Sequence, residues 1–232
     1  MHINDFDTTL YNLWVAVTKE PDAVLKLLHD TPVTMDQWYY WRDVPRGEIL
    51  VSQTERGFAT LFTNRTNRSG VLKAGVIGGL PQAGAYKLDA RLKKDVLAKR
   101  IEKIAVHANS IPVYNEDAFL LLSRCHELLP EKSLIYLDPP YYMKGQGLYR
   151  NFYGHQDHGQ IATLLQKKGS QRPWVVSYDN VDEIQTMYKL SRSLTYGLNH
   201  TAQKRYVGSE IMFFSQSLQV PDGEIPLIFE SA

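Results

Sequence analysis

The 232-residue chain contains a single cysteine, Cys125, which excludes an internal disulfide and leaves no thiolate set for a structural zinc site. Its position in an apolar stretch with helical spacing marks it as a packing residue. No window offers the ~20 uninterrupted apolar residues that a membrane-spanning helix requires. The opening residues, MHINDFD, carry neither the basic start nor the apolar core of a secretory leader, so the expectation is a cytoplasmic protein. Fixed-period repeats and low-complexity tracts are also lacking, which excludes a solenoid. Net charge is nearly lacking too, at +1, and the overall balance says nothing about a nucleic-acid partner. What remains is the composition of a folded globular protein, 44% apolar and 22% charged, in a length between one large domain and two small ones.

The distribution of charge is more informative than its sum. Between Asn64 and Lys103 stand ten basic residues (Arg65, Arg68, Lys73, Lys87, Arg91, Lys93, Lys94, Lys99, Arg100, Lys103) against three acidic ones (Asp89, Asp95, Glu102). The local excess of +7 leaves the rest of the chain at −6. A basic segment within an otherwise acidic chain is an electrostatic footprint for a polyanion. A solvated lysine-rich helix face is the plainer reading of the same charges.

Periodicity divides the chain into two styles. The chain opens on the tail of a strand, Asp5 and Asp7 follow, and Leu10, Leu13, Trp14 and Val17 then define one face of a helix from Thr8 to about Lys19. Two further helices before Gly57 are interrupted at Pro32, Pro45 and Gly47. Phe58 to Phe62 is compatible with helix or strand. The glycines between Asn64 and Asp89 predict extended loop or hairpin, and a basic helix comes next, from about Lys93 to Ala108. From there strands and helices alternate. Strands at Ile111–Tyr114, Leu134–Leu137 and Trp174–Tyr178 are separated by helices at Ala118–Leu129 and Asp157–Lys168. A helix at Val181–Tyr188 leads to an antiparallel pair, Leu194–Leu198 with Glu210–Phe214, around a basic turn. Alternation of this kind implies βαβ units in an open, mostly parallel sheet, with ligands at the carboxyl ends of its strands. Three successive strands end in acids at that edge: Asp117, Asp138 and Asp179.

Asp138-Pro139-Pro140-Tyr141 carries the clearest chemistry. An exocyclic amine conjugated into a purine ring is a poor nucleophile, and activating it requires acceptors for both amino hydrogens. Asp138 offers a carboxylate, Pro139 a free carbonyl on a chain stiffened by Pro140, and Tyr141 an aromatic face for an extruded base. No general base is required, because a sulfonium methyl donor is already cationic and the product ammonium sheds its proton afterwards. The plainer alternative is a diproline turn after a buried strand, with Asp138 as a cap. The same tetrapeptide serves methylation of glutamine in proteins and of guanine in RNA, so by itself it identifies amino methylation rather than the substrate.

With its neighbours, the motif resembles the Dam-like family of DNA adenine-specific (N6) methyltransferases. The residues that carry the resemblance are Ile3–Asp7, Leu61–Gly70, Asn115–Ala118, Leu137–Tyr142, Ser177–Asn180 and Ser209–Met212. It implies an α/β fold, a Rossmann-like S-adenosylmethionine-dependent methyltransferase sheet with a mostly helical target-recognition insert. Residues 1–19 and 109–232 would form the catalytic domain and 20–108 the DNA-binding insert. It implies catalysis by Asp138, Pro139, Pro140 and Tyr141, S-adenosyl-L-methionine held by Asp5 at its ribose and by Asp117 at its adenine, and double-stranded DNA contacted by Asn64, Arg65, Asn67, Arg68, Ser69 and Lys73. Lys204 and Arg205 are further candidates for a phosphate contact. Family members of this kind, including those of restriction–modification systems, begin with a strand and glycine-rich loop not found here. Gly75-Val76-Ile77-Gly78-Gly79 is no substitute, since it lies within the insert. The first strand of the sheet is therefore expected to be missing, through a gene start placed too late, an interrupted reading frame, or its supply by a complementing N-terminal segment or separate chain. A catalytically impaired remnant that only binds DNA is the competing expectation.

Overall fold

The protein is described from a computed structural model covering residues 1–143, 153–167, 172–200 and 206–219. The chain divides into two compact units, Met1–Asp117 and Ala118–Ala232, in a mixed α/β class.

The first unit is built around five helices: α1 (Thr8–Lys19), α2 (Pro21–Asp30), α3 (Met35–Asp43), α4 (Gln53–Thr66) and α5 (Lys94–Val106). Helix α1 starts where the Asp7 carboxylate accepts from the Thr9 N–H at 2.8 Å. Helix α4 starts at a capping box in which Ser52 and Glu55 bond each other's backbone. The run Phe58–Phe62, open between helix and strand in the sequence, is helical: Gly57 to Thr63 is buried without interruption, so α4 is a central helix with no solvent face there. Helix α1 crosses it closely. A Cβ added to Gly57 would stand 2.5 Å from both the Ala16 Cβ and the Asn12 carbonyl oxygen, so only glycine permits this approach. Val24, Leu28, Trp38, Trp41, Phe58, Phe62, Leu97 and Ile101 complete the core around the crossing. Two short strands, β1 (Ile3–Asn4) and β2 (Val113–Tyr114), pair in parallel.

From Asn64 to Asp89, expected as extended loop or hairpin, the chain forms a loop of turns and no hairpin. The segment begins as the last turn of α4 and continues through a 3-10 turn at Arg68–Gly70 and further turns, with one isolated antiparallel bridge, Asn67 to Val76. Gly70, Gly78 and Gly79 adopt positive φ of 71°, 86° and 75°, which reverses the chain too often for a ladder to propagate.

The second unit holds a four-stranded sheet in the order β3-β4-β6-β5, from β3 (Ile135–Leu137), β4 (Trp174–Asp179), β5 (Arg192–His200) and β6 (Tyr206–Phe214). The β3–β4 pair is parallel, and β6 runs antiparallel to both β4 and β5. The helix expected from Ala118 to Leu129 is two: α6 (Ala118–Ser123) and α7 (Cys125–Leu128), divided where the Arg124 N–H bonds the Leu121 carbonyl three residues back. Helix α8 (His155–Gln166) and helix α9 (Asp182–Met187) supply Ile161, Leu165 and Ile184 to a core shared with Trp174, Val176, Tyr178, Tyr188, Ile211 and Phe213. Among the described residues no helix is long and apolar enough to cross a membrane.

Candidate active site

In the second unit the strand register brings acids to one edge. Leu137 pairs with Val176 in the parallel ladder, so Asp138 comes level with Ser177, one residue beyond the end of β3. The Ser177 hydroxyl donates to the Asp138 carboxylate at 3.1 Å. Tyr136 Oη lies 3.1 Å from the same serine oxygen, and because that hydroxyl has spent its one proton, the tyrosine is the donor. A Tyr136–Ser177–Asp138 chain thus fixes the carboxylate. Asp138 as a residue is exposed, yet protein atoms crowd its carboxyl. Desolvation raises its pKa, the Ser177 hydrogen bond opposes the shift, and the Glu210 charge adds to it.

Two buried carboxylates hold the remainder of the turn. Asp179, 5% exposed at the end of β4, accepts from the Tyr142 N–H at 2.8 Å and from the Met143 N–H at 3.0 Å. Glu210, also 5% exposed and opposite Asp179 in the antiparallel register, takes one tyrosine hydroxyl on each oxygen. Tyr141 donates to Oε1 at 2.5 Å and Tyr196 to Oε2 at 2.9 Å. Desolvation first and the Glu210 carboxylate second push the Tyr196 phenol well above its ordinary value. Pro139 is buried between these groups and Pro140 partly so. The sequence identified Asp179 as an acid at a strand end and Glu210 only as part of a matching segment. Their hold on Tyr141 and on the chain just beyond it depends on contacts 69 and 37 residues apart, which no local pattern reports.

The first unit holds the other acids. Asp5 lies just past the carboxyl end of β1, and its N–H bonds the Tyr114 carbonyl of β2. Asp117 lies three residues past the end of β2, so the parallel pair brings both acids to one edge. The connecting turns are tied together: Asn115 Nδ2 donates to the Asp5 carbonyl at 2.8 Å, while Asn4 and Glu116 exchange two hydrogen bonds of 3.0 Å. Desolvation raises the Asp5 carboxyl to about 6. The Asp7 N–H, 2.9 Å away, pulls it back and the Asp7 charge pushes it further up.

The basic segment combines exposed and consumed side chains. Arg68, Ser69 and Lys73 are exposed, and Ser69 sits at φ 54°, a left-handed conformation. Asn64 is half-buried and donates to the Gly70 carbonyl at 2.8 Å. Asn67 is fully buried: it accepts from Trp38 Nε1 at 2.7 Å and donates to the carbonyls of Val71 and Leu72. All of its amide hydrogens are used inside the loop, so here it shapes the surface rather than forming part of it. Arg65 is half-buried on the last turn of α4. Lys204 and Arg205 lie outside the described residues.

The second unit thus holds an acceptor-lined turn after a parallel strand with an aromatic ring anchored beside it, and the first unit holds a basic loop. A search of curated proteins gives no match. The family model of the D12 class N6 adenine-specific DNA methyltransferases matches residues 1–205, which include every one of these features except Glu210. The chain belongs to the D12 class N6 adenine-specific DNA methyltransferase family, enzymes that methylate the exocyclic amine of adenine in DNA.

Proposed function

We propose that the chain transfers a methyl group from S-adenosyl-L-methionine to the N6 amine of one adenine within a specific duplex DNA site, a reaction performed in the cytoplasm. Residues 1–19 and 109–232 are read as the catalytic, Rossmann-like part and 20–108 as the target-recognition insert. The supporting observation is the preorganised tetrapeptide: Asp138 oriented by Ser177, Tyr141 anchored by Glu210, and the chain beyond them held by Asp179.

In this reading Asp138 accepts one amino hydrogen of the extruded adenine and the Pro139 carbonyl accepts the other. Both bonds draw the nitrogen lone pair out of conjugation, which makes it a better nucleophile. The acceptors cost little reorganisation because the protein already holds them. Pro140 stiffens the backbone between them, and the Tyr141 ring stacks on the base. Bound S-adenosylmethionine supplies an electrophilic methyl on a positively charged sulfur. Asp5 and Asp117, acids at the carboxyl ends of neighbouring parallel strands, fit hydroxyl and amine donors at its ribose and adenine. Asn64, Arg65, Arg68, Ser69 and Lys73 are assigned to DNA, and Asn67 to the shape of the loop that presents them.

Asp138→Ala tests the assignment. N6-methyladenine formed on unmethylated plasmid DNA, read by mass spectrometry of the nucleosides, should fall by at least about 100-fold, an effect of about 3 kcal/mol on the barrier. Duplex binding measured by fluorescence anisotropy should be nearly unchanged. Transfer that survives the substitution refutes the role of Asp138.

A further inference from the structure

Arg65 and Arg91 each bury a nitrogen that has no partner. Arg65 Nε and Arg91 Nη1 are both shielded from solvent and make no hydrogen bond. Among the described residues no carboxylate pairs with Arg65, Arg91 or Arg100. A buried donor without an acceptor costs about 1–3 kcal/mol, more when it is charged, and like charges brought together add to that. A fold that retains such a cluster has a reason to: packing restrains one nitrogen of each fork, and an anion meets the remaining nitrogens of the two guanidinium groups.

The surrounding loop is shaped for the cluster. Gly70, at φ 71°, lies where an added Cβ would stand 3.1 Å from Asn64 Nδ2 and 3.2 and 3.3 Å from the two terminal nitrogens of Arg91. Glycine therefore lets the Arg91 fork lie directly against the loop, with Asn64 bonded to the Gly70 carbonyl on the same spot. Arg91 comes from the turn before α5 and Arg100 from α5 itself. Burial, and then the charges of Arg91 and Arg100, lower the pKa of Arg65, as expected for cations that face each other without a counter-ion.

We infer that Arg65, Arg91 and Arg100 form a seat for one phosphodiester of the DNA backbone, with Gly70 and Asn64 shaping its floor. Guanidinium forks match phosphate oxygens in pairs, which suits a contact that positions the duplex without reading its sequence. The inference rests on DNA as the substrate and adds to the proposed contacts two residues, Arg91 and Arg100, that lie outside the Asn64–Lys73 loop.

The test compares the full chain with Arg91→Gln and, in case that change disturbs folding, with Arg100→Gln on the exposed side of α5. Anisotropy of two unrelated labelled duplexes is measured from 50 to 300 mM NaCl, and melting temperature with and without inorganic phosphate. The expected result is affinity about 10-fold lower on both duplexes, a salt slope shallower by about 1, and loss of the stabilisation that phosphate gives the wild type. An unchanged slope in both variants overturns the seat while leaving DNA binding intact. Loss confined to one duplex overturns it in favour of base reading. Phosphate stabilisation without any DNA binding by the wild type overturns both the DNA assignment and the reading on which it rests.

Discussion

Replacing Asp5 by asparagine should stabilise the protein above neutral pH while weakening its binding of the methyl donor. The carboxyl, about 6 in the folded chain against 3.8 as its ordinary value, is easier to protonate folded than unfolded. Folding therefore takes up protons between those values, and stability falls as the pH rises from about 4 through about 6. Above that window the ionised carboxylate carries its full cost. A rise from 3.8 to about 6 corresponds to an upper figure of about 3 kcal/mol, and the partial solvent access of Asp5 reduces it to about 1–2 kcal/mol. Asparagine keeps an oxygen for the Asp7 N–H but has no charge to desolvate. The assay is urea unfolding of both proteins at pH 4.5 and pH 8, monitored by tryptophan fluorescence, since Trp14, Trp38 and Trp41 share the unit with Asp5. The stability difference should be small at the lower pH and favour the variant by about 1–2 kcal/mol at the higher. A difference of the same size at both pH values refutes the reasoning. Calorimetric titration with S-adenosylmethionine should show weaker binding to the variant, because the proposed acceptor for the ribose hydroxyls has lost its charge.

Glu210→Ala removes the acceptor for two tyrosine hydroxyls. It should lower kcat about 10- to 100-fold with little change in KM for DNA, while Glu210→Asp recovers part of the loss. Tyr141→Phe combined with Glu210→Ala should cost less than the sum of the two, the signature of a shared interaction in a double-mutant cycle. Asn67→Ala leaves Trp38 Nε1 and two loop carbonyls without partners and should destabilise the chain by about 2–3 kcal/mol in urea unfolding. It should weaken DNA binding through a disordered loop, so Asn67→Asp, which still accepts from Trp38, should recover part of both losses.

The amino-acid sequence alone determined the elements whose causes are local. Helix α1 arises from an Asp cap and a 3.6-residue apolar stripe, strand β4 from an unbroken apolar run, and the β5–β6 pair from two runs around a polar turn. The Asp138–Tyr141 turn was legible as a motif because four consecutive residues carry a carboxylate, a stiff diproline and an aromatic ring at the end of an apolar strand. Local signals left alternatives open where burial decided. The run Phe58–Phe62 became helix because α1 packs on it through Gly57, and the glycine-rich segment after it became turns because its φ angles reverse direction. Asn67, a polar residue in a polar loop, was sent to the interior by Trp38, 29 residues away. The anchoring of Tyr141 by Glu210 and the approach of Arg65 and Arg91 to one spot likewise join residues remote in sequence. Sequence spacing records periodicity along the chain and not which distant side chains share a dielectric environment. The motif could therefore be read directly from the residues, while the carboxylates that hold its turn and the grouping of the arginines were decided only by tertiary packing.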